Sequence, residues 1–543
     1  MKTSKMYQEL PTSYYRPEFD LCLECGAPLK RSHTAWVKTI TTLQGTTKVF
    51  NQAYRCRDRA MCGQADRVYR SAYADGLSLP YYTYGLDVIV YIGQQRLRQH
   101  RTIPEIHTAL LRWEPAVVIS EREVQYLFDV YLLLSACSHG QRLEKYRAAI
   151  KANGGVVLAI DGAKPEKGQP GLYIFRDVLS GCRLHSAILH SADGDTISQE
   201  MRVVQKMGLP VQAIISDDEP ATVAAVATVF PGKPHGLCHT HFLKVAQKPV
   251  QEADQNLAKE LKRPVRAINK VERLLYNQPE VVAELSPSQQ QALRRYLDAL
   301  RAVLLTKGQA PFRLSGATIY ESLEQITTSL ERSHHSHDHL ILTTLQQLTE
   351  SYQVHQAIYE QVQRQQGWFL GLAELLDVPL TQTHQWPTQS GAEVAQAVTD
   401  YLEALDELRQ ELVEDAPFFT HLRRRLAQWA PGLYWTYEIP ALPRTNNALE
   451  ADIGDVKEQY RRITGRRSLK DYLMRYGPYL TFDDERDDPD ELLEWFKEVD
   501  RQDFVNERAK LEALREHLRN MQRFRDNPAD FLAETERLWN DSG

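Results

Sequence analysis

Val156-Val-Leu-Ala-Ile-Asp161 and Val211-Gln-Ala-Ile-Ile-Ser-Asp217 are two apolar runs of strand length, and each closes on a carboxylate. A third acid, Glu450, stands far downstream in Thr445-Asn-Asn-Ala-Leu-Glu450. Carboxylates at strand ends can be held rigidly side by side. Three of them can fix two divalent cations about 3.5–4 Å apart, clamping the attacking and leaving oxygens of a phosphodiester. The pattern points to a two-metal site in which Asp161, Asp217 and Glu450 are catalytic and bind two Mg²⁺ (or Mn²⁺) ions. The interval from Asp161 to Asp217 leaves room for a few strands and a helix, and that from Asp217 to Glu450 for an inserted domain.

Working outward, residues 156–160, 172–178 and 183–189 read as successive strands, the last two joined by the hairpin signal Ser180-Gly181. A helix over 197–207, a strand over 211–215, a helix over 221–230 and an extended stretch reaching Cys238 follow. Three antiparallel strands, then helix, strand, helix, strand is the order of a ribonuclease H-like core. Its first and fourth strands are neighbours, which brings Asp161 near Asp217. Among the rival acids, Asp218 and Glu219 directly follow Asp217, and Asp177 lies inside a strand after Arg176, where a structural ion pair is expected.

The ordered set Ile214-Ile-Ser-Asp217-Asp-Glu, Phe230-Pro231, Cys238-His-Thr-His241 and Thr445-Asn-Asn-Ala-Leu-Glu450, with Lys457 and Arg461 following, resembles the DDE transposases with a Cys-x-x-His signature. These are the Mutator-like group and related bacterial insertion-sequence transposases. The resemblance spans roughly residues 155–480, with its motifs confined to 155–243 and 441–468. It implies that Cys238 and His241 pack close to the catalytic carboxylates. As a zinc shell that pair alone is poor, since two more ligands are needed.

At 543 residues the chain exceeds what one core usually serves, so three or more domains are expected. No apolar run approaches a membrane span, and the opening Met1-Lys-Thr-Ser-Lys-Met-Tyr-Gln lacks the apolar core of a signal peptide, so a cytoplasmic, nucleoid-associated bacterial protein without membrane contact is expected. The net charge of −6 argues weakly against a DNA-coating protein. Charge is segregated, however: between Gly26 and Arg70 basic residues outnumber acids nine to two, while acid concentrates in Asp483-Asp-Glu-Arg-Asp-Asp-Pro-Asp-Glu491. That segregation permits a basic DNA-facing surface on a mildly acidic protein.

Seven cysteines, odd in number and unevenly spread, do not read as a secreted disulfide framework. Cys22-x2-Cys25 and Cys56-x5-Cys62, separated by a strand-like stretch and each pair followed by glycine (Gly26, Gly63), can supply the four-thiolate shell of a structural Zn²⁺. Residues 1–80 are therefore expected to form a zinc-binding segment. Over 81–150, Thr102-Ile-Pro-Glu105 and Ser120-Glu-Arg-Glu123 fit the capping box and start helices at about 103 and 121. These make a helix-turn-helix candidate whose second helix would turn Arg122 and Gln125 to DNA bases, with Arg96, Arg98 and Arg101 in support.

The catalytic core is expected over 151–249 and 441–482, interrupted by an all-α insertion over 250–440 with helical spacing such as Ile341, Leu345 and Leu348. Trp368, Trp386, Trp429 and Trp435 lie in or near that insertion, where a core role outweighs base stacking. The insertion opens with Lys259, Lys262, Arg263, Arg266, Lys270 and Arg273 against Glu260 and Glu272. A solvated helix face and phosphate contact both account for such a run. Glu450 is expected on a helix over 446–463 closed by the DNA-binding cluster Arg461, Arg462, Arg466 and Arg467, and residues 483–543 as an acidic, helical peripheral tail.

The whole reads as a multidomain α/β protein: a DNA transposase of an insertion sequence that cleaves element ends and joins them to target DNA. Its partners would be double-stranded DNA, as terminal inverted repeats and target, and further copies of itself in a dimer or higher oligomer. A ribonuclease H-like nuclease or resolvase, and a catalytically inactive transposase-derived regulator, are the rival readings. Metal-dependent cleavage separates the last from the others, and strand joining separates the first two.

Overall fold

In this computed structural model, which describes residues 10–541 apart from 59, 164–169, 278, 310, 337–338, 379–388, 410–411, 440–441, 466–469, 481, 483 and 485, the chain is mixed α/β. It is mostly helical, with small sheets and a four-cysteine cluster. It divides into two units, residues 1–210 with 447–543, and residues 211–446.

The first unit begins with β1 (Thr12–Tyr15), β2 (Leu29–Thr42) and β3 (Gly45–Cys56) in the order β1–β3–β2. Period-two burial turns Ile40, Val49 and Ala53 inward. Gly45, at φ +121°, closes the tight connection between β2 and β3 with a backbone that side chains rarely adopt. Helices Leu86–Leu97, Ile103–Leu111, Glu121–Cys137 and His139–Ala152 follow. Thr102 and Glu105 form the reciprocal capping box, whereas Ser120 makes only its half, accepting from the Glu123 N–H.

Glu121–Cys137 is buried on nearly every face from Val124 to Ser135 and packs against all the helices around it. The Tyr131 ring lies so close over Gly93 that a Cβ there would fall 2.2 Å from it. Phe496 and Tyr476 meet Tyr131 and Phe128 edge-on, with centroids 5.6 and 5.7 Å apart. Arg515 pairs with Asp129 at 2.5 Å. Phe496, Tyr476 and Arg515 come from the carboxy-terminal helices Lys470–Leu480, Pro489–Glu498 and Arg501–Asp526; of the stretch expected to be a peripheral tail, Asp487, Leu492, Phe496 and Leu511 are buried, while most of 501–541 is exposed helix.

The acidic run is its clasp. Asp487 is buried and accepts two hydrogen bonds from the equally buried Arg142, at 3.0 and 2.5 Å. Asp484 accepts from Tyr146 and pairs with Arg486, and the Arg98 guanidinium donates to the carbonyls of Asp484 and Asp487. Arg96, buried over the Phe128 ring, donates to the Arg101 carbonyl. Arg96 and Arg98, expected to support DNA reading, are thereby committed to the fold.

β4 (Val156–Ala163), β5 (Gly171–Asp177) and β6 (Arg183–Leu189) pair antiparallel in the order β6–β5–β4. Helix Gly194–Lys206 follows, capped by Asp193, and the Pro210 carbonyl accepts from Val156 N–H at the start of β4. Asp177, expected in an ion pair, instead accepts from the backbone N–H of Val157 and Ser180 and from the Ser180 hydroxyl. A buried carboxylate satisfied by turn donors needs no cation.

The second unit opens with β7 (Val211–Ser216), helix Pro220–Val229 and β8 (His235–Leu237), the two strands parallel. From His239 to Glu438 its described residues form helices and no strand. They enclose two apolar clusters, one around Phe242, Phe369, Phe418 and Trp429, the other around Leu261, Leu300, Ile319, Leu323, Ile341 and Leu345. Trp429 is core and Trp368 packs on Phe419, while Trp435 is exposed and Trp386 lies outside the described residues.

Removing one member of the Arg142–Asp487 pair strands a buried charge. Asp487→Ala is expected to destabilise the first unit by about 3–5 kcal/mol in denaturant unfolding, while Arg142→Met with Asp487→Leu recovers most of that loss.

Candidate active site and metal centre

The four predicted cysteines converge. Leu29 pairs with Cys56 across β2 and β3, which sets the turn at 22–25 beside the loop at 56–62. That turn is closed by Gly26 N–H donating to the Cys22 carbonyl (2.9 Å) and Cys22 N–H to the Ala27 carbonyl (2.7 Å), with Gly26 at φ +73°. Gly63 has no such backbone, so glycine is required in only one of the two turns. Cys22 Sγ lies 3.8 Å from Cys62 Sγ and Cys25 Sγ 3.5 Å from Cys56 Sγ, and all four sulfurs fall within 4.8 Å of one another. Tetrahedral Zn–S bonds of about 2.3 Å set sulfurs about 3.8 Å apart, so the cluster could hold a zinc ion. Tyr69 Oη lies 3.5 Å from Cys22 Sγ, and this hydrogen bond brings the Cys22 thiol down to about 6, while burial pushes the Cys56 thiol up to about 12.

Asp161 and Glu450 both belong to the first unit. Asp161 lies on β4 where the fully buried run ends. The strand continues to Ala163, so this acid is within the strand rather than past its end. It is half-buried and accepts from Gly162 N–H at 2.7 Å. Glu450, also half-buried, sits in the first turn of helix Asn447–Thr464, which packs on β4. Arg176 donates to the Ala448 carbonyl and to Asp452 (both 2.9 Å), and Arg183 reaches Asp452 at 3.1 Å. These two arginines of the sheet clamp the helix on either side of Glu450. The reading of the sequence noted Arg176 only as the neighbour of Asp177 and passed over Arg183; the available signal was Arg176 directly after the apolar run Leu172–Phe175.

Asp217 belongs to the second unit, directly after β7. Buried Ser216 exchanges a 2.8 Å hydrogen bond with His235, and its carbonyl accepts from Cys238 N–H. Of the two rival acids, Asp218 is held by Gln428 at 2.5 Å, and burial raises its carboxyl. Glu219 sits at the start of helix Pro220–Val229, where Thr222 donates to it. Both rivals are engaged by the unit's own helices. Cys238, fully buried, starts helix His239–Ala246, and its sulfur accepts from Asn446 N–H at 3.3 Å. His239 N–H donates to the Arg444 carbonyl. The signature thus pins residues 444–446 within the second unit; His241 is half-buried.

The DNA-reading expectations fare unevenly. Arg122 is exposed in the first turn of Glu121–Cys137. Gln125 instead donates to Asp129 and the Tyr476 hydroxyl, inside the helical packing. Residues 112–120 join the two helices, a longer connection than the tight turn expected. Arg461 is exposed, Arg462 pairs with Glu105 at 3.0 Å, and Arg466 and Arg467 lie outside the described residues.

The purified protein is expected to carry about one zinc per chain, absent from Cys22→Ser/Cys25→Ser. That variant should be cut first by protease within its amino-terminal sheet. Metal analysis of unchelated protein checks this.

Burial depresses His235 and His239 from the usual 6.5 to about 4, so both are neutral in the fold. Their contribution is complete above pH 6.5 and is lost as pH falls from 6.5 toward 4, because the unfolded chain binds protons that the fold does not. His235→Gln should flatten the pH dependence of second-unit unfolding by about 1.4 kcal/mol per pH unit in that window, followed by Trp429 fluorescence.

Comparison with protein-family models and with curated proteins finds no match to this chain.

Proposed function

We propose that the chain is a DNA transposase with a ribonuclease H-like catalytic core, its third acid delivered after a long helical insertion. The observation that carries this reading is the clamp of Arg176 and Arg183 on Asp452, which fixes the helix of Glu450 on the strand of Asp161. Arg176 holds the helix at the Ala448 carbonyl, and Arg176 and Arg183 together hold Asp452 in its second turn, an arrangement that would keep Glu450, between them, aimed.

Asp217 supports the same reading from the second unit. It follows an apolar strand, and the neighbouring acids are taken up by Gln428 and Thr222. When bound by these carboxylates, two Mg²⁺ or Mn²⁺ ions would supply a polarised water or 3′-hydroxyl and charge neutralisation at the leaving oxygen. The chain's own part is positioning. Asp161 is held by the strand and the Gly162 N–H, and Glu450 by the arginine clamp. The zinc-binding segment and the helical region after it would present element ends, with Arg122 the exposed candidate for base contact.

Asp161→Asn, Asp217→Asn and Glu450→Gln are each expected to reduce Mg²⁺-dependent cleavage of terminal-repeat DNA to the metal-free level while leaving DNA affinity within about threefold. The amides keep the shape but lose the charge that holds cations. Substantial cleavage by any one variant removes that residue from the site. Cleavage without strand joining would favour a nuclease or resolvase, and absence of both a regulator.

A further inference from the structure

The helical part of the second unit opens with a basic run whose two explanations the sequence leaves level, and side-chain placement separates them. Helix Lys248–Val265 buries Val250, Leu257, Leu261 and Val265, and helix Ile268–Asn277 follows with Ile268 and Val271 inside. Opposite that apolar face stand Lys259, Arg266, Lys270 and Arg273, all exposed, at spacings of seven, four and three residues. Lys259 lies on the first helix, Arg266 is its carboxy-terminal cap, and Lys270 and Arg273, three residues apart, share a face of the second, so the exposed basic stripe runs across the junction of the two helices.

A solvated face normally mixes charge signs. Here the run's two acids are drawn off: Glu260 pairs with Arg263, and Glu272 turns to Arg301 on another helix. Among the described residues none of the four stripe cations has an ion-pair partner. The positive density extends sideways, since Lys262 donates to the Thr306 carbonyl while burial, then the nearby charges of Arg266 and Lys307, push its amine down. Cations gathered without counter-charges raise the self-energy of the fold, and a polyanion relieves it.

We infer that the stripe Lys259, Arg266, Lys270 and Arg273 is a phosphate-binding surface for duplex DNA, separate from the proposed catalytic acids and from the amino-terminal zinc segment. Lysines and arginines without aromatic rings among them, and with the intervening Asn269 accepting from Arg301, suit backbone contact without base reading. The partner is therefore DNA of any sequence, target DNA included. This rests on the reading of the chain as a DNA-processing protein.

The test uses the full chain and a random-sequence duplex, with affinity measured by fluorescence anisotropy across a salt series. Replacing all four cations by glutamine should reduce the slope of log K against log salt by about 3 to 4, at about 0.9 per lost phosphate contact, and weaken binding at low salt. Four glutamines at exposed Lys151, Arg202, Lys206 and Lys233 should leave the slope unchanged, and exchanging lysine and arginine within the stripe should retain it. Since all four side chains are exposed, unaltered circular dichroism is expected. A wild-type slope in the glutamine variant overturns this inference alone. Absence of DNA binding by the wild-type chain overturns it together with the transposase reading.

Discussion

A helix buried on nearly every face must be covered on nearly every face, and Glu121–Cys137 imposes that demand on the first unit from Val124 to Ser135. The helices before it cover part of its surface. The remainder is closed by Phe496, Tyr476 and Arg515 from the far end of the chain. Burying a Phe or Leu side chain is worth about 1.5–3 kcal/mol, so the covering elements are bound by several such contributions. The Arg142–Asp487 pair does something different. Its desolvation offsets most of its attraction, and its value lies in selecting the one seating of the acidic segment in which neither charge is stranded.

The same closure bears on the candidate chemistry. Helix Asn447–Thr464 lies at the point where the chain returns to the first unit, and Arg176 and Arg183 anchor it there through Asp452. As a proposed metal ligand, Glu450 would be aimed by this anchorage rather than by its own contacts alone. Precise placement of a carboxylate is what a divalent cation requires, and support from neighbouring groups is how such placement is held.

Local features were the most legible in the sequence. The cysteine spacing, the capping box at Thr102, the order of strands and helices from Val156 to Leu237 and the helical character after His239 follow from patterns within a few residues of one another. What sequence reading missed depends on distant partners. Asp487 looked like part of a solvated acidic tail because Arg142, which makes it an interior residue, is 345 positions away. Gln125 looked like a base reader because Tyr476 was not in view, and Arg96 and Arg98 looked like a DNA-facing patch for the same reason. Asp177 was recognised as structural, but its partners are turn amides, which no charge pattern reveals. Polar residues are ambiguous in one dimension, because the same side chain serves solvent, ligand or fold according to what the chain later brings to it.

The division of the first unit between the two ends of the chain has a consequence for synthesis. On the ribosome, Glu121–Cys137 emerges long before its carboxy-terminal covering, and at about 5–20 residues per second the wait is on the order of tens of seconds. During that interval the Asp161 strand exists without the Glu450 helix, and an apolar helix is available to chaperones or proteases. A chain broken off before residue 447 would carry the four-cysteine cluster and, of the three candidate acids, only Asp161 and Asp217, on a scaffold with an open core. Quality control would see it as unfolded, and the architecture would thereby couple completion of the polypeptide to completion of the proposed site.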